Sequence, residues 1–235
     1  MTAGYAAIVL AGGGGRRLGG RDKPALPVGG RSMLLRVLDA VGDASPRIVV
    51  GPDRPELDTD VVQVREHPPG GGPVAGLAAG LAALDASSDE VGLVAVLAAD
   101  LPFLTAADIR ALRRAAATIA RRDGGPGDRT VESGDRTVES GDRTVETGDR
   151  EGGPGGRDGA VLVDADGHPQ WLCGVWRLAA LRRRLAELGP PAGQSMRALA
   201  AGLRPDGVGR REIGGPPPWY DCDTDDDYRR AEEWA

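Results

Sequence analysis

The stretch Ala6-Ala-Ile-Val-Leu-Ala-Gly-Gly-Gly-Gly-Arg-Arg-Leu-Gly-Gly-Arg-Asp-Lys23 decides the predicted fold. Its first residues, Ala6 to Leu10, form an apolar run without polar alternation, which is typical of a strand buried on both faces of a parallel sheet. Glycines begin where that strand would end, and Gly12 to Gly15 can turn their backbone amides toward an anion because they carry no β-carbon. Positive charge lies beside those amides, at Arg16, Arg17, Arg21 and Lys23. The stretch therefore predicts a strand followed by a triphosphate-binding loop.

Two common glycine motifs do not fit this loop. A P-loop ends in Gly-Lys-Ser/Thr, whereas Lys23 is preceded by an aspartate and followed by a proline. The dinucleotide fingerprint needs a third glycine five residues after the first, but Arg17 and Leu18 stand five residues after Gly12 and Gly13. What remains is Leu-Ala-Gly-Gly, then Arg-Leu-Gly, then Asp-Lys-Pro.

This pattern resembles the signature loop of the sugar-nucleotide-type nucleotidyltransferases, and most closely that of the molybdenum cofactor guanylyltransferases within the MobA-like NTP transferases. The resemblance implies that the nucleotide contacts these loop residues: Leu10, Ala11, Gly12, Gly13, Gly15, Arg17 and Lys23. It also implies a catalytic role for Arg17 and Lys23, which would neutralise charge that grows on the phosphates. The alternative is a glycine-rich surface turn with solvated arginines.

Length and charge narrow the class of protein. A chain of 235 residues suits one large α/β domain over 1–235. The net charge of −6 argues against a general nucleic-acid surface. No long apolar segment or basic leader is present, so we expect no membrane contact and a cytoplasmic location. Cys173 and Cys222 lack metal-ligand spacing, and His67 and His168 are not expected to complete a cluster.

Strand and helix patterns alternate along the chain. Apolar runs predict strands at 46–50 and 61–64, and helical spacing predicts a helix capped by Ser32. This alternation predicts an α/β fold with a mainly parallel, Rossmann-like sheet and right-handed crossovers. With the resemblance, it implies a three-layer α/β/α nucleotidyltransferase. Further patterns predict a helix at 105–122, a hairpin at Asp166-Gly167, short helices at 177–188 and 195–201, a last strand at 207–213 and a terminal helix capped by Thr224 and Asp227.

A second glycine-rich stretch runs from Glu66 to Leu81 and leads directly into a helix of small residues. Such a helix leaves bare backbone on which a flat group can lie. In the resembled family this segment contacts the base, which makes Gly72, Pro73, Ala75 and Gly76 base-site candidates. The alternative is that small residues only allow close packing of helix on sheet.

Asp100 follows a run of seven apolar or small residues after Gly92, so it lies at the carboxyl end of a predicted buried strand. That end faces the ligand crevice in open α/β sheets, and a carboxylate there needs a cation or hydrogen bonds. Mg²⁺ carrying the nucleotide phosphates would satisfy Asp100, and the segment resembles the family's Cys-Asp-Met-Pro-Phe-Leu with two substitutions. The alternative is a plain strand-end residue.

Asp223-Thr224 resembles the family's Asn-Thr-Pro-Glu-Asp-Leu, in which the residue before the threonine helps to hold the metal. The resemblance thus implies that Asp223 is a second metal ligand opposite Asp100. The alternative is an acidic helix N-terminus, which the neighbouring residues 225–227 also suggest.

Three copies of a seven-residue repeat, beginning Gly-Asp-Arg-Thr-Val-Glu, occupy residues 127–147. Each copy holds one valine and no paired apolar seam, which excludes a coiled coil. The composition predicts a disordered insertion at about 123–158 that interrupts the domain.

The segment from Gln170 to Arg177 resembles the family's Gln-Pro-Leu-x-Gly-x-Tyr-Arg at Gln170, Leu172, Gly174 and Arg177, and departs from it at Trp171 and Trp176. In the resembled enzymes this region flanks the acceptor pocket. The departures leave the identity of the acceptor open. The two tryptophans alone indicate core or pocket wall.

The resemblance as a whole implies transfer of GMP from GTP to a terminal phosphate of molybdopterin, with Mg²⁺ as cofactor and release of pyrophosphate. Two alternatives remain. One is a transferase of the same fold that uses CTP or GTP with another small phosphorylated acceptor, and the other is a nucleotide-binding regulator without catalysis. We expect a monomer or a weak homo-oligomer.

Overall fold

The computed structural model describes residues 4–12, 21–84, 91–118, 157–209 and 215–235. The seven-residue repeats, and nearly all of the insertion expected at 123–158, lie outside these residues. The single-domain assignment and the disorder of residues 123–156 therefore stay predictions. The expected end of the insertion at 158 is wrong, because Asp158 is buried and pairs with Arg183.

Strands and helices alternate through most of the described chain. The strands are β1 Tyr5–Leu10, β2 Pro27–Val28, β3 Arg31–Ser32, β4 Arg47–Val50, β5 Val61–Val64, β6 Leu93–Ala98, β7 Gly159–Val163, β8 Pro169–Arg177 and β9 Pro205–Gly209. The α-helices are α1 Met33–Ala40, α2 Pro73–Ala82, α3 Ala106–Thr118, α4 Leu178–Leu188, α5 Met196–Ala200 and α6 Asp225–Trp234. A 3-10 turn covers Lys23–Ala25.

Seven strands form one sheet in the order β5-β4-β1-β6-β8-β7-β9, and β2 pairs with β3 in a separate hairpin. The pairs β1–β4, β1–β6, β4–β5 and β7–β9 are parallel. Only β8, among the described strands of the large sheet, runs antiparallel to its neighbours. The mainly parallel sheet predicted from the sequence is confirmed.

Helices cover both faces of this sheet, as the apolar run in β1 predicts. Tyr5, Ala7 and Val9 face a core layer that also contains the apolar sides of α1 and α3. Ala6 and Ile8 face the opposite layer, which is built from α2, α4 and α5. These residues are at most 1% exposed, so β1 is buried on both sides. The three-layer α/β/α architecture is confirmed.

The strand order reverses beside β1, and this reversal creates the crevice of the fold. The chain passes from β1 to β4 and β5 on one side and returns to β6 on the other. Leu10 and Ala98, the last residues of β1 and β6, are register partners, so both strands end at the same edge. Ligands of doubly wound sheets bind at such a switch point.

Several local predictions are confirmed by hydrogen bonds. The hydroxyl oxygens of Ser32 and Ser195 accept from the backbone N–H groups of Leu35 and Ala198, which caps α1 and α5. Thr224 and Asp227 form the expected reciprocal capping box at the start of α6. The hairpin at 166–167 joins β7 to β8, with a register shift after Val161.

The last strand begins two residues earlier than the predicted range 207–213. Pro205 is the first residue of β9 and lies opposite Gly159 of β7. A proline without an N–H is tolerated at the first position of an edge strand, so the sequence signal that usually excludes a strand is misleading here. Residues 210–213 lie outside the described residues.

Among the helices that the structure describes, none has the length and apolar content of a membrane span.

Gly80 allows α2 to lie directly on β1, and this contact is open to test. A β-carbon at position 80 would lie 2.6 Å from Cγ2 of Ile8, an atom on a stiff, buried strand residue. We expect Gly80→Val to lower the free energy of unfolding by about 1–3 kcal/mol, the usual cost of overpacking a core. Urea denaturation measures the change.

Ala82→Val is the matched control because Ala82 is exposed on the same helix. It adds a valine to the helix without touching the sheet. Equal stabilities of the two variants would contradict the close contact between α2 and β1.

Candidate active site

The turn at Lys23 follows from its neighbours in the chain. Pro24 occupies the first turn of the 3-10 segment, where its fixed φ fits and its missing N–H costs no hydrogen bond. Pro24 is buried, so the turn is fixed to the body of the protein. The side chain of Lys23 leaves this turn and is 13% exposed.

The Lys23 ammonium contacts two carboxylates from distant parts of the chain. Its Nζ lies 2.7 Å from Oδ1 of Asp223 and also forms an ion pair with Oδ2 of Asp100. The predicted phosphate-binding cation and both predicted metal ligands therefore meet at one point. Asp100 stands two residues beyond the end of β6, at the edge predicted from the sequence.

The C-terminal helix brings Asp223 to this point, one residue before the Thr224 cap of α6. Tyr228 Oη donates to the carbonyl oxygen of Pro27 at 2.6 Å, and the N–H of Gly29 donates to Glu232 at 2.9 Å. These bonds attach α6 to the β2–β3 hairpin, which directly follows the Lys23 turn. The position of Asp223 thus depends on the packing of the last helix.

Burial and charge compete at Lys23. Burial by itself lowers the pKa of Lys23, but the charges and hydrogen bonds of Asp100 and Asp223 outweigh it, so that the pKa is raised. The ammonium therefore stays protonated at every physiological pH. Burial, together with the negative charges of Asp223 and Asp100, raises the pKa of a third carboxyl group, that of Asp221.

A cavity of about 470 Å³ lies between β1, β6 and the start of α2. It is lined by Leu10, Gly12, Val50, Glu66, Gly70, Gly72, Pro73, Gly76, Ala98, Asp100 and Leu172. Gly72 has a φ of 91°, a conformation that favours glycine, and Pro73 begins α2. Asp100 lines two cavities, and we call this one, the larger of those two, the larger cavity.

The structure brings most of the described candidates for nucleotide binding together around the larger cavity. Leu10, Gly12, Gly72, Pro73, Gly76 and Asp100 line it. Ala11, Ala75 and Lys23 are not among its lining residues. Ala11 and Ala75 are buried in the protein, at 3% and 4% exposure. Gly13, Gly15 and Arg17 lie outside the described residues. Gly76 also supports the packing alternative, since a β-carbon there would lie 3.3 Å from Leu10.

A cavity of about 320 Å³, which we call the smaller cavity, lies on the other side of Asp100. Its walls are Ala98, Asp100, Leu101, Pro169, Gln170, Trp171, Leu172, Cys173, Met196, Trp219 and Asp221. Ala98, Asp100 and Leu172 line both cavities. Trp171 forms part of the wall and Trp176 is 1% exposed, which matches the expected roles as wall and core. Two spaces therefore meet at one carboxylate.

A further cavity of about 620 Å³ is bordered by the β2–β3 hairpin, α1 and residues 102–106. None of the sequence-predicted site residues lines it. Its larger volume does not make it the better candidate site, because none of Lys23, Asp100 and Asp223 lines it.

The expectation that His168 completes no cluster is wrong. Side-chain ligand atoms of Asp164, Asp166 and His168 lie within 4.8 Å of one another in the β7–β8 turn. Asp164 Oδ1 already accepts the backbone N–H groups of Asp166 and His168, at 3.0 and 2.8 Å. These hydrogen bonds belong to the turn, and they explain why the three side chains lie close together.

Asp100 and Asp223 fit a hard divalent cation. Each places a carboxylate oxygen against the same Nζ atom, so the two oxygens face one position that a positive charge already occupies. Mg²⁺ takes oxygen ligands and uses few from the protein when phosphates supply the rest.

The sequence reasoning did not assign two carboxylates at the site. Glu66 lines the larger cavity and follows β5, so the rule that identified Asp100 at a strand end could also have identified it. Asp221 lines the smaller cavity but follows no strand, and its approach to Asp100 depends on how α6 packs.

The doubly wound sheet, with a glycine-flanked cavity and a carboxylate at its switch point, is typical of α/β proteins that bind a ligand at this edge. The chain belongs to the MobA-like NTP transferase domain family, whose model matches residues 7–206. It is 34% identical over 112 residues to a probable molybdenum cofactor guanylyltransferase of Haloferax mediterranei, a match that covers 44% of this chain and 51% of the relative. The chain spans about half the length of the curated relatives it matches.

Solved structures share the fold. Molybdopterin-guanine dinucleotide biosynthesis protein A from Archaeoglobus fulgidus aligns with a TM-score of 0.58 at 18% identity, covering 97% of each chain. The 2-C-methyl-D-erythritol 4-phosphate cytidylyltransferase of Thermus thermophilus aligns with a TM-score of 0.57 at 21% identity, covering 98% of each chain. At these identities the likeness establishes the fold alone.

The raised pKa of Asp221 makes a prediction about stability and pH. Its ionised form is disfavoured in the fold, so Asp221→Asn should slightly raise the free energy of unfolding at pH 7. The gain should vanish as the pH falls below the ordinary value of 3.8, where the carboxyl group is protonated in both the folded and the unfolded state. Urea denaturation at several pH values measures the gain.

Asp58→Asn is the control, since Asp58 is an exposed carboxylate in the loop between β4 and β5. A loss of stability in Asp221→Asn at pH 7 would contradict the crowding of carboxylates around Lys23.

Proposed function

We propose that the protein transfers GMP from GTP to a terminal phosphate of molybdopterin and releases pyrophosphate. The observation that carries this proposal is the pair of cavities that share Asp100, beside an ammonium held by Asp100 and Asp223. A nucleotidyl transfer needs a donor site and an acceptor site that meet at the reacting phosphorus. Membership of the MobA-like NTP transferase family supports the same assignment.

The larger cavity is proposed as the donor site. Its glycines let a base and ribose lie against the backbone of β1 and α2, and the chain continues from Gly12 into the glycine-rich stretch of the sequence. A volume of about 470 Å³ is in the range of small-ligand sites. Within this cavity the phosphates would lie toward Asp100 and Lys23, and Gly13, Gly15 and Arg17 would add amides and positive charge.

Glu66 supports guanine as the base. Its Oε1 accepts the N–H of Gly70 at 2.9 Å, which fixes the carboxylate at the cavity wall. A carboxylate only accepts hydrogen bonds, and guanine presents two adjacent donors, its ring N–H and its amino group. Cytosine and adenine each place an acceptor beside their amino group, so they would oppose the charge of Glu66.

The smaller cavity is proposed as the acceptor site. Trp171, Trp219 and Met196 offer apolar area for a ring system, while Gln170 provides polar groups. A fused heterocycle with a phosphate arm fits this combination, with the phosphate directed toward Asp100. The tryptophan departures from the family pattern lie in this wall, which makes it the part of the proposal that most needs a direct test.

In the proposed reaction an oxygen of the acceptor phosphate attacks the α-phosphorus of GTP in line. The bond from the α-phosphorus to the bridging oxygen of the β-phosphate breaks, and pyrophosphate leaves with the electron pair. The protonated Lys23 stabilises negative charge on the phosphate oxygens, and the two cavities orient the reactants. Asp100 and Asp223 would hold Mg²⁺ once Lys23 turns from them to the phosphates, and the bound ion would supply further charge neutralisation.

Pyrophosphate release measured with each nucleoside triphosphate in turn, with and without molybdopterin, tests the proposal. We expect release that requires Mg²⁺, GTP and molybdopterin together. Pyrophosphate release with CTP and a different phosphorylated acceptor would show that GTP and molybdopterin are not the substrates. Nucleotide binding without any pyrophosphate release would favour a regulator without catalysis.

Asp100→Asn should lower the turnover number at least ~100-fold, because the shared carboxylate of both sites and a metal ligand is lost. Asp166→Asn is the control, since it removes a ligand from the acidic β7–β8 turn. Full Mg²⁺-dependent turnover in Asp100→Asn would contradict the metal role of Asp100. Loss of turnover in Asp166→Asn would indicate a metal site at that turn instead.

Glu66→Gln should lower the preference for GTP over CTP and ATP, measured as the ratio of kcat/KM values, by ~10-fold or more. The amide keeps the size of the side chain but replaces one acceptor with a donor. If activity fell equally with all three nucleotides, Glu66 would contact the ribose and not the base.

A further inference from the structure

Arg54 forms a forked ion pair next to the Lys23 turn. Its two terminal nitrogens, Nη1 and Nη2, donate to Oδ2 and Oδ1 of Asp22, both at 2.7 Å. The Arg54 side chain is 4% exposed and lies in the loop after β4, while Asp22 directly precedes Lys23. Paired hydrogen bonds of this kind fix direction as well as distance.

Arg54 is itself fixed to the sheet. The side-chain amide of Gln63 in β5 accepts the backbone N–H of Arg54 at 2.8 Å and donates to its carbonyl oxygen at 3.0 Å. The guanidinium therefore projects from a backbone that a neighbouring strand holds on both sides. A continuous series of bonds runs from β5 through Arg54 to the residue before Lys23.

The side chain of Asp22 bonds Arg54 and does not cap the turn that it precedes. It occupies the N-cap of the 3-10 turn, where an aspartate commonly accepts a backbone N–H of the turn. In this structure its side chain makes no cap hydrogen bond. Both carboxylate oxygens go instead to Arg54, 32 residues away in the chain. The contact thus joins the turn to the sheet.

We propose that Arg54, acting through Asp22, is a positioning residue that sets the place of the Lys23 ammonium between Asp100 and Asp223. Lys23 reaches its partners with a long side chain of four methylene groups, so its head group is only as well placed as the backbone from which it starts. Pro24 fixes the turn on one side of Lys23, and the Arg54–Asp22 pair fixes it on the other. The kinetic consequence rests on the proposed function.

Lys23 is the only lysine in the 235-residue chain, which gives this proposal a direct readout. Protein grown with ¹⁵N-lysine shows one side-chain ammonium signal by NMR. In the wild-type protein we expect this signal to be protected from exchange with water, because Asp100 and Asp223 both contact Nζ. In Asp22→Asn and in Arg54→Met we expect the protection to be lost and the signal to approach that of a solvated lysine.

The kinetic expectation is a fall in kcat of up to about 100-fold, the effect of a small misplacement of a reacting group. The KM for GTP should rise as well, since Lys23 is also a proposed contact of the GTP phosphates. The double variant should resemble either single variant, because both break the same contact. Additive losses would show that Arg54 and Asp22 act separately and would overturn the proposal.

Arg47→Met is the matched control. Arg47 in β4 pairs with Asp60 in the same β4–β5 region, and neither residue contacts the Lys23 turn. Thermal unfolding of all variants reports general damage. If the pair only stabilises the loop after β4, Asp22→Asn will lower the unfolding temperature as Arg47→Met does and leave the Lys23 signal protected, which would overturn the proposal.

The signal is recorded without nucleotide, so it is independent of the proposed function. An unprotected Lys23 signal in the wild-type protein would also contradict the positioning role. The two proposals can also fail separately. If the wild-type protein releases no pyrophosphate, but its Lys23 signal is protected and the variants lose that protection, the proposed function is rejected and the positioning role of Arg54 is retained.

Discussion

The contact of one ammonium with two carboxylates is the interaction on which the rest of the site depends. Lys23 comes from a 3-10 turn, Asp100 from the end of β6 and Asp223 from the residue before the cap of α6. Burial opposes the charged form of Lys23, and the two carboxylates outweigh that cost. Without the ammonium, two negative groups would face each other at the edge of the sheet. The same positive position suits phosphates that arrive with a divalent cation.

The sheet explains why this contact can lie between two cavities. The reversal of strand order beside β1 opens a crevice, and the ends of β1 and β6 meet at its edge. Helix α2 closes one side with glycines that approach β1, and the β7–β8 hairpin closes the other with Trp171. Asp100 is exposed to both spaces because it stands at the boundary. Binding of two different molecules and the chemistry between them can therefore be separated in space.

Much of the fold was predictable because it depends on local patterns. The apolar run in β1, the range 61–64 of β5 and the caps at Ser32 and Thr224 each need only neighbouring residues. Asp100 was found by the same logic, since a carboxylate after a buried strand marks the crevice. The start of β9 at Pro205 was missed because proline usually indicates the absence of a strand, although it is tolerated at the first position of an edge strand.

The parts of the site that were not predicted depend on long-range packing. The Arg54–Asp22 pair joins residues 32 positions apart, and the approach of Asp221 to Asp100 depends on the docking of α6. The contact of Lys23 with both carboxylates could not be predicted, because the roles of the three residues were inferred from separate motifs. Ala11 and Ala75 are neighbours in the chain of residues that line the cavity, yet their own side chains are buried in the core. A crystal structure with Mn²⁺ and a non-hydrolysable GTP analogue tests the account most directly. The account predicts an anomalous Mn²⁺ peak beside Asp100 and Asp223, guanine against Glu66, and Lys23 on the phosphates. A nucleotide outside the larger cavity, or Mn²⁺ only at the turn of Asp164 to His168, would contradict it.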